Sequence, residues 1–467
     1  MNTPCSILRA VSWTCATLLL AAPPALHAQR TAPADTVRLS VDEALARAAS
    51  LGEEVKLART TVNFAATQVK SARSAVFPTL DGSFNYTRTY ASPFQIKSTT
   101  PADTTNPIAK LFGNLPFGRV NQYTANVTAT QTLFSPKLGI AMRVANQFES
   151  ATRYTLKEQL AEAEFQVRSA YVGALLAHEL EASAREAVAQ AQRFLESERL
   201  RHSAGAGSEL DVLRAEVSIE NLRPQLVDAQ NAAAISMLNL KRLINVPLTT
   251  ALALTTPLVA PSAAMPGASI DPSLVVSERS AVHAEEQQVK IAGELVKGAV
   301  SAYLPSVDFR MSLGRLMYPE QVFALNGLDW RTDWNAAITL KLPLFNGFKR
   351  GAELSQARIG LQQEQFRLAQ LREAVQLQYQ QAFGERERAA ALMTARQRTV
   401  DQAQRVYDLT VLRYEQGMAS QLEVTDARLS LLQARANRAQ AIAQYFIADA
   451  SVQRARGVSS SALSQAR

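Results

Sequence analysis

The residue types that usually carry catalysis or bind metals are few in this sequence, and they stand apart from one another. His178 and Glu179 begin the H-E-x-x-H pattern of zinc proteases, but Ala182 stands where the second histidine must be. His202 and His283 lie on other helix-like stretches without ligand spacing. No glycine loop that could cradle a phosphate follows a predicted strand, and no nucleophile elbow is present. The sequence therefore predicts no enzyme, no metal site and no cofactor.

Two carboxylates near the C-terminal end have a spacing that suits a different chemistry. Glu423 and Asp426 are three residues apart, which places both on one face at the start of a predicted helix. If that face lines a pore, symmetry between copies of the chain gathers a ring of acids that attracts cations. The alternative is a solvated helix start, where the helix dipole favours acidic residues. Which of the two interpretations holds depends on whether the helices assemble around a pore.

The N-terminal stretch and the charge balance indicate where the chain works. Residues 1–28 are predicted to be a secretory signal peptide, with a basic start at Arg9, an apolar centre and a cleavage site at Ala28. Cys5 and Cys15 both lie in this segment, so no disulfide is expected in the mature protein. The 49 Lys and Arg and the 41 Asp and Glu form no basic stripe, and no nucleic-acid partner is predicted.

The chain contains an internal duplication. QVKSARSAVFPTLD, which ends at Asp81, aligns with LVKGAVSAYLPSVD, which ends at Asp308, and half of the positions are identical. LRHSAGAGSELDV from Leu200 aligns in the same way with LRYEQGMASQLEV from Leu412. Each half has the pattern helix, strand, strand, long helix, short loop, helix. The predicted divisions are a first repeat at 29–246, a linker at 247–271, a second repeat at 272–457 and a flexible tail at 458–467.

Two proline-free stretches predict very long helices that need continuous partners. Residues 137–204 and 349–416 contain no proline, and at about 1.5 Å per residue each helix is roughly 100 Å long. In the second stretch, apolar residues recur every seven positions, which is the period of a left-handed coiled coil. They are Leu354, Leu361, Leu368, Val375, Ala382 and Ala389. We expect each long helix to pack beside two shorter helices stacked end to end, so that together they form a rod.

Capping residues indicate where the helices begin. One helix is predicted over about residues 41–76, and Ser40 with Glu43 has the spacing of a capping box at its start. Ser135 and Asn346 are the predicted N-caps of the two long helices.

Short glycine-containing segments connect each long helix to the helix that returns along it. Gly205 and Gly417 are suited to left-handed turn conformations between antiparallel helices. The returning helices are predicted to start with capping boxes. These pairs are Ser208 with Asp211, and Ser420 with Glu423.

Segments with strict alternation of polar and apolar residues separate the helices. In residues 121–134 polar side chains run from Gln122 to Thr132 on one face, and Tyr123 to Leu133 are on the other. Residues 333–345 likewise place an apolar series from Trp334 to Leu344 on one face. A soluble sheet packed on a core would show the same pattern. The helices are expected to pack on one another in the rod, which leaves no helical surface to cover the sheet. We therefore interpret these strands as membrane-crossing, with the apolar face outward.

The number of strands predicts an assembly of several chains. No apolar run long enough for a spanning helix follows residue 28, so strands must make any membrane crossing. Four strands cannot close a barrel, and an open edge in lipid leaves backbone groups unpaired. Three copies would supply twelve strands around an open lumen. Residues 91–119 and 317–333 are the predicted external loops.

These pieces together resemble the TolC-like outer-membrane efflux (OEP) family. The matching segments are LSVDEAL, SAVFPTLDGSFNYTR, TLFSPKLGIA, PLFNGFKRGAEL and the doubled pattern R-x3-G-x2-S-x2-[DE]-V, which together cover essentially the whole mature chain. The resemblance implies a mainly α-helical chain with duplicated coiled-coil helices forming an α-barrel in the periplasm. It also implies a homotrimer whose four strands per chain build a twelve-stranded outer-membrane β-barrel in the lipid. A periplasmic adaptor and an inner-membrane transporter are the implied partners.

The resemblance also implies roles for residues at the hairpin ends. Glu423 and Asp426 match an acidic constriction of family members, and Tyr414 and Asp211 match positions that close neighbouring coils. The implied adaptor-contact tips are Gly205, Ser208, Gly417 and Ser420. Ala419 departs from some relatives, which carry a basic residue there, so a basic latch at that position is not expected.

Two functions remain in competition at this point. The preferred one is a passive exit duct of a tripartite efflux pump or type I secretion system in the outer membrane of a Gram-negative-type cell. The alternative is a periplasmic adaptor or a structural coiled-coil protein, which would share the helices and the signal peptide. An adaptor has one helical hairpin, whereas this chain has two hairpins and four strands with an apolar face.

Overall fold

The computed structural model describes residues 37–91, 120–261, 270–319 and 330–457. The predicted signal peptide and C-terminal tail lie outside these ranges, as do most of the two predicted external loops and part of the linker. Within the described ranges, none of the helices is both long and apolar enough to cross a membrane.

The two halves of the chain contain the same order of main elements. The first half consists of β1 (Val37–Leu39), α1 (Val41–Leu51), α2 (Glu53–Ser74), β2 (Thr79–Arg88), β3 (Asn121–Phe134), α3 (Pro136–Ser203) and α4 (Glu209–Leu243). The second half consists of β4 (Leu252–Leu254), α5 (Pro272–Glu278), α6 (Ser280–Ser301), β5 (Ser306–Met317), β6 (Arg331–Lys341), α7 (Lys349–Glu415) and α8 (Gln421–Arg456). The repeat inferred from the sequence is thus also a repeat of structure.

The long helices and their partners confirm the predicted rod. Helices α3 and α7 contain 68 and 67 residues, each within one residue of the predicted bounds. Helix α3 packs against α2 and α4, and α7 packs against α6 and α8, so each long helix has two shorter partners. Contacts of α3 with α6 and α8 join the halves. The heptad positions of α7 face inward, because Val375, Ala382 and Ala389 are buried and the three leucines before them are half-buried.

The predicted helix over residues 41–76 is wrong in one respect, because it is broken at Gly52. The capping box of Ser40 and Glu43 that starts α1 is confirmed. At the break, Gly52 donates its N–H to Ala48 O and adopts an extended ψ of 131°. Asn245 Nδ2 donates to Leu51 O at 3.0 Å. This amide replaces a helical hydrogen bond that the break removes, so the connection between α1 and α2 bends without leaving that carbonyl unpaired.

A second, small sheet was not foreseen from the sequence. Strands β1 and β4 pair in parallel, and β4 lies in the segment that was assigned as a linker. The hydroxyl of Tyr171 on α3 donates to Leu39 O at 2.9 Å and accepts from Thr256 N at 3.2 Å. Tyr171 is fully buried in an apolar cluster with Leu45 and Leu240. This cluster ties the start of the first repeat to its end.

The four long strands form one antiparallel sheet in the order β2-β3-β5-β6. Its register pairs polar residues with polar residues, and apolar residues with apolar residues, on neighbouring strands, so that each set of paired residues forms a row across the sheet. One polar row is Asp81, Thr128, Ser312 and Asn335, and the neighbouring apolar row is Gly82, Val127, Leu313 and Trp334. The predicted separation of a polar and an apolar face is therefore confirmed across all four strands. Strands β2 and β6 are the two edges.

The end of β6 differs from the prediction. The alternation suggested a strand to residue 345, but β6 ends at Lys341 because Pro343 has no N–H to donate to a ladder. Asn346 is not the N-cap of α7, because Gly347 and Phe348 both have positive φ and the helix begins after Phe348. Ser135 is the N-cap residue of α3, although its side chain caps no N–H.

We predict that Gly52→Ala lowers the free energy of unfolding by about 1–3 kcal/mol, because the added methyl group would overlap the Ala48 carbonyl. Gly293→Ala in α6 is the matched control, since a Cβ there has no other atom within 4 Å and alanine favours a helix. Denaturant unfolding of the detergent-solubilised protein, followed by helical circular dichroism, measures both. Equal stability of the two variants would contradict the role of Gly52.

Candidate functional site

The two hairpin ends lie at the end of the rod away from the sheet and share one turn geometry. Gly205 and Gly417 have φ values of 72° and 73°, which confirms the left-handed turns, and a Cβ on either would meet open space. In each turn, a backbone N–H beyond the glycine closes the last helical turn. These bonds run from Ala206 N to Arg201 O at 2.9 Å and from Met418 N to Arg413 O at 2.8 Å.

The two returning helices start differently. The capping box of Ser420 and Glu423 is confirmed, because each side chain accepts the other residue's backbone N–H. The predicted box of Ser208 and Asp211 is wrong: Ser208 Oγ accepts from Leu210 N, and Asp211 does not reach back to Ser208. The aspartate side chain is one methylene shorter than the glutamate that such a box uses. Its carboxylate instead lies 3.8 Å from Arg214 Nη1.

Glu423 and Asp426 both lie on the exposed side of α8, whereas Val424 and Ala427 beside them are buried. The backbone N–H and the hydroxyl of Ser420 lower the pKa of the Glu423 carboxyl. Glu423 therefore carries its negative charge at neutral pH and below. The chain presents two acids side by side that its other described helices leave uncovered.

Tyr414, three residues before Gly417, joins the ends of the two long helices. Its hydroxyl donates to Glu198 Oε1 at 2.7 Å and accepts from Arg201 Nη1 at 2.6 Å. The Arg201 guanidinium also lies 5.0 Å from the centre of the Tyr414 ring. The Glu198 side chain is only 2% exposed. Among the described contacts, the Tyr414 hydroxyl donates to Glu198 rather than to Asp211, while the charge of the Asp211 carboxylate also contributes to raising the pKa of Tyr414.

Burial and the neighbouring Glu198 carboxylate raise the pKa of Tyr414 to about 12. A free tyrosine ionises near pH 10. Because the pKa is raised in the folded hairpins, the contribution of this link is fully present below pH 10. It is lost as the pH rises from about 10 to 12.

Two further contacts join α8 to α4. Gln421 Nε2 donates to the backbone oxygen of Asp211 at 3.0 Å. Arg428 Nη2 donates to Ser218 Oγ at 3.3 Å, and its guanidinium lies 5.9 Å from the centre of the Phe194 ring. Arg428 is 5% exposed and has no carboxylate partner among the described residues. Burial lowers its pKa.

Together these side chains fasten one hairpin to the other, and four of them were not predicted from the sequence. They are Glu198, Arg201, Gln421 and Arg428. Arg201 does belong to the doubled R-x3-G pattern, which was a signal available in the sequence. Glu198 stands one helical turn before that arginine, but its partner Tyr414 is more than 200 positions away, so no local pattern connects them. If α7 and α8 move away from α3 and α4, these contacts must break.

Comparison with known proteins decides the identity. The family model described as "Outer membrane efflux protein" matches residues 40–246 and 272–458, which is most of the chain. The chain belongs to the outer membrane efflux protein family. It is accordingly an outer-membrane protein rather than an enzyme, and the predicted family is confirmed.

Two relatives illustrate how far the similarity of this efflux-family chain extends. It is 24% identical over 231 residues to the solvent efflux pump outer membrane protein SrpC of Pseudomonas putida, which is 49% of this chain and 48% of SrpC. It is 28% identical over 295 residues to protein CyaE of Bordetella pertussis (strain Tohama I), which is 62% of this chain and 60% of CyaE. The matched segments thus span about half to three fifths of these curated relatives.

The solved structure of the Campylobacter jejuni CmeC outer membrane channel has the same fold. Its TM-score to this efflux-family chain is 0.72 at 17% identity, with 89% of this chain and 85% of CmeC covered. The predicted fold class, with duplicated long helices and four strands per chain, is confirmed at this level.

We predict that Tyr414→Phe loosens the hairpin ends. The change removes only the hydroxyl, and it leaves the buried Glu198 carboxylate without one donor, which costs about 1–3 kcal/mol. Hydrogen–deuterium exchange of the amides around residues 198–208 and 412–420 should become at least about tenfold faster. Tyr445→Phe, roughly 35 Å along α8 from Ser420, is the control and should leave this exchange unchanged. Unchanged exchange in Tyr414→Phe would show that the hydroxyl does not stabilise the contact between the two hairpin ends.

Proposed function

We propose that three copies of this chain form a channel through the outer membrane that serves as the passive exit duct of an efflux pump or type I secretion system. Their sheets would close a twelve-stranded barrel in the lipid, and their helices would continue it as a tunnel into the periplasm. The support is the combination of a two-faced, four-stranded sheet with a long helical rod in a member of the outer membrane efflux protein family.

The observation that carries the proposal is the pair of free sheet edges. Strands β2 and β6 each pair on one side only within the described chain. The exposed apolar side chains of these strands include Leu80, Phe84, Trp334 and Ile338. In lipid, each unpaired backbone group of such an edge costs several kcal/mol. Pairing β2 of one copy with β6 of the next satisfies both edges, and three copies close the ring.

The hairpin ends are proposed to be the gate. In this proposal the polar face of the sheet would point into the lumen, and the acids Glu423 and Asp426 would line the narrow end of the tunnel. Three copies bring six carboxylates together there, and such a ring attracts cations. Tyr414 with Glu198 and Arg201 would hold the hairpins together in the closed state, and Asp211 contributes through its backbone contact with Gln421.

Energy for opening has to come from partners. We propose that a periplasmic adaptor and an inner-membrane transporter supply it at the tips formed by Gly205, Ser208, Gly417 and Ser420. Both glycine turns are exposed and their Cα atoms have open space around them, so a partner can approach the backbone. The similarity to SrpC, which is named as a solvent efflux pump protein, favours small apolar compounds as one class of cargo.

The alternative of an adaptor or structural coiled-coil protein is disfavoured by the sheet. An adaptor would need a cover for the apolar face of β2, β3, β5 and β6. The described helices pack on one another and not on this face.

We predict that the double change Glu423→Gln and Asp426→Asn weakens block of the single-channel current by divalent cations at least about tenfold, since charge at the constriction is removed. Glutamine at position 423 can keep the capping box with Ser420, so the helix start is retained. Currents across planar bilayers measure the block.

Glu209→Gln is the matched control, since Glu209 is an exposed acid in the first turn of the other returning helix. It should leave the block within about twofold of the unchanged protein. A double variant that is blocked like the unchanged protein would contradict the pore-lining assignment, while the presence of any current tests the channel itself.

We also predict that Gly205→Leu and Gly417→Leu each reduce export by cells that depend on this chain, with trimers assembling normally. A bulky side chain at a left-handed position is strained and projects from the tip that the adaptor must meet. Gly360→Leu on α7, where a Cβ also meets open space, is the control. Export at the unchanged rate in both tip variants would exclude these turns as the docking point.

A further inference from the structure

The outward face of the sheet carries charge at one end only. The register assigns to this face the rows that contain Leu80, Gly82, Phe84, Tyr86 and Arg88 of β2 and their partners. Among its described residues on these rows, the charged ones are Arg88 and Arg315. The opposite face holds all the acids of the four strands, namely Asp81, Asp308 and Asp333. The charged residues on the apolar face are therefore both basic.

Both arginines lie in the half of the sheet far from the helices. Arg315 shares a row with Phe84, Ala125 and Thr332. The next row of this face toward the end of the sheet contains Tyr86, which is 40% exposed, and Tyr123, which is buried. Their rings are tilted by 33°, with centroids 4.8 Å apart. Aromatic rings of this kind mark the boundary between lipid tails and headgroups in outer-membrane barrels.

The depth of Arg315 follows from the strand geometry. At about 3.4 Å per residue and a tilt of about 40°, the outward residues from Val307 to Met317 rise by roughly 25 Å, which is the height of the apolar band. Arg315 then lies about 5 Å inside the boundary marked by Met317. The long apolar stem of arginine lets the guanidinium reach that boundary while the stem stays among lipid tails.

The guanidinium of Arg315 has no hydrogen bond or ion pair with any other described residue, and the residue is exposed. Arg88 differs, because its guanidinium lies over the ring of Tyr90 at 5.5 Å. Five N–H donors in a planar fork match the oxygens of a phosphate. At this depth, on a lipid-facing surface without acids, the phosphate available is that of a lipid headgroup.

We infer that Arg315 binds the phosphate of a phosphorylated lipid in the outer leaflet, with the exposed Tyr86 packing beside the headgroup. This inference rests on the proposed function, since it takes the apolar face as outward. It goes beyond that function because it assigns a lipid site of stated chemistry to one strand. Each trimer would hold three such lipids, one on each β5.

The test compares two arginines on opposite faces of the same strand. Arg315→Gln and Arg310→Gln trimers are placed in phosphatidylcholine nanodiscs that contain bisphosphorylated lipid A, and the lipid retained is measured by native mass spectrometry. Arg315→Gln should bind about tenfold more weakly, since a charge-assisted pair is lost, while Arg310→Gln stays within about twofold. Arg315→Lys, which keeps the charge without the fork, should fall between these values.

Two further arms identify the source of the phosphate. Dephosphorylated lipid A should bind the unchanged trimer as weakly as lipid A binds Arg315→Gln, and millimolar inorganic phosphate should not displace lipid A. Lipid A binding by Arg315→Gln at the unchanged strength, or displacement by inorganic phosphate, would overturn the lipid site and leave the channel intact. Loss of binding in Arg310→Gln alone would instead reverse the faces of the sheet, which would contradict the proposed orientation in the membrane as well.

Discussion

The backbone hydrogen bonds of the two edge strands are the constraint from which the other features follow. Strands β2 and β6 each have one unpaired side in the described chain, and their side chains are apolar on one face and polar on the other. A surface of this kind is stable in lipid only when every strand has two neighbours. A single chain has four strands in this sheet, so the proposed channel needs other copies to complete its barrel. The cyclic arrangement of copies would in turn set where the helices lie.

In the proposed channel, the helical rod would continue the barrel away from the lipid. Each long helix is flanked by two shorter ones, and in α7 the heptad positions Val375, Ala382 and Ala389 are buried. The polar contacts that fasten the two hairpins are concentrated at the far end, around Tyr414 and Glu198. Glu198, Gln421 and Arg428 are all buried there, so polar side chains take part in the packing between the two hairpins.

Much of this arrangement was predictable from the sequence because its signals are local. Proline-free length, heptad spacing and strict alternation located α3, α7 and β3 within a residue or two. The failures have physical causes that local patterns do not contain. The break at Gly52 depends on Asn245, which is close only in the folded chain, and β4 pairs with a strand at the other end of the repeat. At the tip, the turn glycines were found from sequence, whereas Glu198 and Arg428 acquire their roles through partners on distant helices.

The mass of the particle extracted from the membrane tests most directly whether several chains share one β-barrel. Native mass spectrometry in a mild detergent, with electron micrographs of the same sample, reports how many chains complete one sheet. A mass of three chains, in particles with an elongated stem, is the predicted result. A mass of one chain, or a compact particle without a stem, would contradict the account, because an isolated four-stranded sheet would then have proved stable with both edges open.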